Sequence, residues 1–240
     1  MPRVLKHLRA LLLSVLALGS AAITLGSVVY FGEDLAPFVL EKLPLPLEDV
    51  WMLALRVHVV AAAVCLPGCL LLLSKAVVRR WPRLHRWLGR VTATLVLLAL
   101  VPSGGYLALF AKGGVASTLG FLLSGAVVAV AMVQGVRTAR ARRFLEHRRW
   151  VLHVLAQLSV AVTSRAMLFA LDAAAVDEHV AYLVSLWLPV LGSFGLVELL
   201  STRTRTVPIW RNHEAPVDAR HPRLRPDDLR GARAGQGTAG

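Results

Sequence analysis

The chain alternates between long apolar stretches and short charged ones. Six stretches, at about 10–31, 51–74, 91–111, 118–136, 151–170 and 181–200, each approach the ~20 residues a helix needs to cross roughly 30 Å of hydrocarbon. The pattern predicts an all-α polytopic membrane protein, a six-helix transmembrane bundle over residues 1–200 with a core module at 51–170. After Leu200 the text becomes STRTRTVPIWRNHEAPVDARHPRLRPDDLRGARAGQGTAG. It is rich in Arg, Pro and Gly and lacks apolar periodicity, which predicts a basic, flexible cytoplasmic tail over 201–240.

The polar connections alternate in sign. The first, GEDLAPFVLEKLPLPLED, carries five acids and one lysine. The third carries only Lys112, and the fifth supplies Asp172, Asp177 and Glu178. By contrast the N-terminal flank has Arg3, Lys6 and Arg9; the second connection has Lys75, Arg79, Arg80, Arg83, Arg86 and Arg90; the fourth has Arg137, Arg140, Arg142, Arg143, Arg148 and Arg149. Lysine and arginine resist translocation. Every even crossing returns to the basic side, so both termini are expected to be cytoplasmic, in a bacterial inner membrane. The opening segment, MPRVLKHLRALLLSVLALGSAAITLGSVVYF, also suits a signal peptide. Its apolar run exceeds the ~7–15 residues of a signal h-region and continues past the SAA site, so it is expected to remain as the first helix.

Composition agrees: 56% of the 240 residues are hydrophobic and 17% charged, against ~25% charged in an ordinary soluble domain. A net charge of +13 would by itself suggest nucleic acid. The cations cluster beside apolar segments, however, and no nucleic-acid module is recognisable. The expected partners are the bilayer and its anionic headgroups, met by the basic loops and tail at about 1 kcal/mol per cation near the surface. Cys65 and Cys69 fall inside one apolar run, which fits neither a disulfide framework nor a zinc pattern.

Two basic connections are nearly the same text: RRWPRLHR at 79–86 and RRFLEHR at 142–148. Topology accounts for their arginines but not for the recurrence of His85-Arg86 and His147-Arg148. Each pair lies just before a returning helix, so spans two–three and four–five read as two parallel copies of one hairpin. The order HRWLGR (His85 to Arg90), an apolar helix with SGGY, Gly120-Phe121, HRRW and an arginine fifteen residues on resembles bacterial predicted membrane proteins of domain-of-unknown-function family 2306. His58 in RVHVV matches the histidine of the preceding helix; His153 lies outside the shared pattern; and HRRWV stands where the family reads HRxWM. The resemblance covers about 51–170 and implies a polytopic membrane domain without an established activity. A looser likeness is to b-type transmembrane cytochromes, which hold haem between histidines on facing helices.

Ionisable residues inside a bilayer usually face the bundle interior and mark function. Arg56 and His58 in span two and His153 and Arg165 in span five are the candidates. His58 and Arg165 fall at similar outer depth by helical rise, and with Gln157 and Ser164 they form the candidate ligand site. Arg56, two positions from His58, points elsewhere and is expected to snorkel outward. Near the inner face lies a second cluster: His85, Arg86, Arg90, His147, Arg148 and His153. Two axial histidines need similar depth, which excludes His58 as a partner for these and leaves His85, His147 and His153 as haem-ligand candidates. Cys65 and Cys69, one turn apart, suit either packing or a soft metal. No nucleotide loop, hydrolase elbow or zinc-protease helix occurs, and Glu198 is the one acid near the inner end of span six. The expected function is binding of a small anion, lipid headgroup or quinone, with haem-based redox chemistry and membrane assembly as alternatives.

Overall fold

The computed structural model describes residues 3–32, 37–40, 42–45 and 47–205. The side chains of Arg3, Lys6 and Arg9, the acids Glu33, Asp34 and Glu41, and residues 206–240 of the expected tail lie outside the described residues. Every regular element among them is helical. In order these are α1 Arg3–Gly26, prolonged by a 3₁₀ turn at Ser27–Phe31; α2 Pro37–Leu40; α3 Glu48–Leu72; α4 Lys75–Arg80; α5 Pro82–Leu95; a π turn at Val96–Leu100; α6 Val101–Ala108; α7 Gly114–Arg140; α8 Phe144–Leu158; α9 Val160–Ala173; and α10 Glu178–Arg205. The chain divides into two units, Met1–Ser201 and Thr202–Gly240.

The elements make six segments long and apolar enough to cross a membrane: Ala10–Phe31, Glu48–Leu72, Pro82–Ala108, Gly114–Arg140, Phe144–Ala173 and Glu178–Ser201. They exceed the apolar runs because helix geometry continues into the charged flanks. Leu18, Leu53, Leu98, Val130, Phe169 and Leu188 stay exposed along them, as a surface facing lipid requires.

Spans three and five are interrupted, each for a local chemical reason. Pro102 brings no N–H to the backbone ladder; the turn before it widens to the π form, and the Ser103 hydroxyl donates to Ala99 O at 2.6 Å. At Ser159 the hydroxyl donates to Leu155 O at 2.7 Å and to Ala156 O at 2.9 Å, separating α8 from α9. Side chains that compete for helix carbonyls bend helices in this way. α3, by contrast, runs continuously through Pro67.

The main core joins Cys65 and Cys69 of α3, Val96 of the π turn, Ala131 of α7 and Val154 of α8, with Leu16 of α1 and Val162 of α9 closing its side. Close approach uses particular glycines. A Cβ on Gly19 would stand 2.4 Å from Val162 Cγ1, and one on Gly120 would stand 2.8 Å from Leu186 Cδ2. Gly105 and Gly125, equally suited by sequence, face open space. The fourth connection is tight: Arg142 takes the left-handed conformation (φ 57°), and Arg143 N–H donates to Thr138 O at 2.9 Å. That closure caps α7 and turns the chain directly into α8.

Candidate functional site

The two His-Arg turns open their helices in the same register. His85 is the fourth residue of α5 and His147 the fourth of α8, and each backbone N–H makes its helix's first bond, to Trp81 O and Arg143 O. Both rings are partly buried at the basic end of the bundle. His147 Nδ1 donates to Gly135 O at 2.8 Å, which leaves Nε2 as the lone-pair nitrogen of the neutral ring. His85 Nδ1 is buried with no hydrogen-bond partner among the described residues. Arg86, Arg90 and Arg148 are exposed around them.

At the opposite end, His58 is seated on the broken part of span three. Its Nδ1 lies 3.3 Å from Leu100 O and 3.3 Å from Ser103 Oγ. Gly104 supplies the space, since a Cβ there would stand 2.9 Å from His58 Cε1. Arg165 is exposed on α9; its Nη1 donates to Ala161 O of its own helix at 2.8 Å. No hydrogen bond joins it to His58, and no ion pair joins it to Asp172, among the described residues. Arg56 is exposed and donates through Nε to Tyr30 O at 3.1 Å. Beside it runs a groove of about 360 Å³ lined by Phe31, Val57, Val60, Ala61, Leu95 and Ala99.

Gln157 shares no hydrogen bond with His58 among the described residues. It is buried, with its carbonyl accepting from Ser124 Oγ at 2.9 Å and its amide donating to Val190 O at 3.0 Å and Ser193 Oγ at 3.1 Å. With these bonds it joins α7, α8 and α10. Ser164 is partly buried, with no side-chain hydrogen bond among the described residues.

His153 is also placed differently from the inner cluster. Only 1% exposed, it lies against Trp150 and Phe194 at ring-centroid distances of 5.9 and 5.0 Å. Its Nε2 lies 2.8 Å from Glu198 Oε1, while Arg149 holds Glu198 Oε2. A ring enclosed in this way has its Nε2 committed to a carboxylate and its Nδ1 buried without a hydrogen-bond partner among the described residues. Cys65 and Cys69 are buried free thiols of the main core. No group of three or more potential metal-ligating side chains occurs among the described residues.

The family model described as Predicted membrane protein (DUF2306) matches residues 55–201. This chain belongs to that family. No curated protein and no solved structure matches it. The DUF2306 region contains His58, both His-Arg turns, Arg165 and the Arg149–Glu198–His153 group; it also takes in span six, which the quoted motifs did not reach. Within it, sequence reasoning missed the role of Glu198. The signal was present: an acid near the inner end of one span, and a cation and a histidine four residues apart on another, which share one helix face.

Proposed function

We propose that this DUF2306 protein is an inner-membrane module with its His-Arg turns in the cytoplasm, and that it binds a small anion or anionic headgroup in its outer half, at Arg165 and His58. One observation carries the reading: a guanidinium within a span, bonded to a carbonyl of its own helix and with no carboxylate partner among the described residues. An arginine removed from water demands a negative partner. His58, held against Ser103 and Leu100 O, supplies a fixed polar surface opposite that charge. Lys112, ion-paired with Glu178 at 2.6 Å, adds a further cation acting on Tyr182 at the same end.

Thermal unfolding of the purified protein in mild detergent tests this, with inorganic phosphate and phosphatidylglycerol as separate probes. A specific ligand at about 100 times its Kd adds roughly 2.7 kcal/mol of stability, a rise of about 5–10 °C for a domain of this size. Arg165→Leu is expected to abolish the rise. An equal rise in Arg165→Leu, or none in the wild type with either probe, contradicts the reading.

A further inference from the structure

The two His-Arg turns share a register but not a charge balance. In the second, carboxylates stand among the arginines: Arg143 pairs with Glu146 at 3.2 Å, and Arg149 pairs with Glu198. The first turn has no such acid. Between Asp49 and Glu146 the chain carries no Asp or Glu at all. Lys75, Arg79, Arg80, Arg83, Arg86 and Arg90 are exposed in this turn, and none has an ion-pair partner among the described residues. Large apolar side chains stand exposed beside them: Trp81 at 59%, Leu84 at 43% and Trp87 at 61%. Trp81 closes α4 and caps α5, and Pro82 opens α5 at its first position. This corner forms a groove of about 610 Å³ lined by Arg80, Trp81, Pro82, Arg83 and Leu84.

Around α5, at 100° per residue, Arg86, Arg90, Arg83, Trp87 and Leu84 follow one another over about 160°, while Thr92 and Ala93 are buried on the other side. The exposed side thus carries guanidinium groups along one flank and apolar side chains along the other. A guanidinium fork matches phosphate oxygens. Tryptophan settles at headgroup level, where its ring body meets hydrocarbon and its N–H meets water. Water alone would solvate the arginines and leave the tryptophans uncovered. An uncharged lipid would cover the tryptophans and leave six positive charges unbalanced. From this complementarity we infer that the α4–α5 corner binds an anionic phospholipid of the leaflet it faces. The phosphate lies in the groove lined by Arg80 and Arg83, and the acyl chains lie beside Leu84 and Trp87. The site is at the opposite end of the bundle from His58, so its failure would leave the anion reading untouched. Its cations all come from residues 75–90, which an unfolded chain also keeps together. The unfolded state therefore binds the lipid as well, and occupancy adds little to the unfolding temperature.

Tryptophan quenching of the full chain in phosphatidylcholine nanodiscs tests the site. A minor fraction of brominated phosphatidylglycerol is added or, in parallel, the same fraction of brominated phosphatidylcholine. Bromine on an acyl chain quenches a ring it touches, so a bound lipid quenches beyond its share of the bilayer. The phosphatidylglycerol form should quench more strongly, and Trp81→Phe with Trp87→Phe should remove the difference. Arg80→Gln with Arg83→Gln should raise the phosphatidylglycerol fraction for half-maximal quenching about tenfold or more, since each arginine near an anionic surface counts for about fivefold. Arg142→Gln with Arg143→Gln in the second turn should leave it nearly unchanged, and Arg165→Leu should leave the preference intact. Equal quenching by the two lipids overturns the inference. So does a preference that survives either the tryptophan or the first arginine pair of substitutions, or one lost equally with the second arginine pair. The substituted arginines of the first turn are exposed, and the wild-type comparison of the two lipids stands even if a variant fails to fold.

Discussion

The seat of His58 depends on a missing methyl group. A Cβ on Gly104 would press into the imidazole at 2.9 Å, whereas one on Gly105, the next residue, would meet nothing within 4 Å. Gly104→Ala should therefore destabilise the protein by about 1–3 kcal/mol, the usual cost of overpacking, and weaken phosphate-dependent stabilisation by displacing His58. Gly105→Ala should be nearly neutral on both counts. Paired thermal unfolding curves check this, and equal behaviour of the two variants would deny His58 its seat. The candidate residues themselves were legible because a charge or imidazole stands out in an apolar run. Their partners were not: Glu198 meets Arg149 and His153 across two helices, and no single-helix periodicity records which neighbour an arm will reach.

Helix existence followed from length and hydropathy, and all six spans occur where the apolar runs stand. Their interruptions did not follow. Pro67 and Pro102 look alike in sequence, yet only Pro102 stands beside a break, with Ser103 at hand to occupy Ala99 O. Gln157 shows the same limit. Its helical face was readable as interior, but its partners, Ser124, Val190 O and Ser193, lie on α7 and α10. It fastens three helices. Gln157→Leu removes three hydrogen bonds, each contributing about 0.6 kcal/mol within a membrane, so a loss of about 2 kcal/mol in reversible unfolding is expected, with the response to phosphate unchanged. A variant as stable as the wild type would mean that α10 is held without help from the Gln157 hydrogen bonds.

The bundle as a whole depends on the bilayer: its flanks stay apolar and exposed, and the arginines of its second and fourth connections stand at one end. The alternation of acidic and basic connections was readable from sequence because lysine and arginine govern orientation through simple counts. The shared register of His85 and His147 adds a reason to treat the two basic turns as equivalent parts of one face. Cysteine accessibility in intact cells tests the arrangement most directly, in a background carrying Cys65→Ala and Cys69→Ala. With a membrane-impermeant thiol reagent, Lys112→Cys and Asp177→Cys should label from outside, while Arg80→Cys and Arg140→Cys should label only after the membrane is opened. External labelling of either arginine position would contradict the orientation, and with it the assignment of an outer anion site.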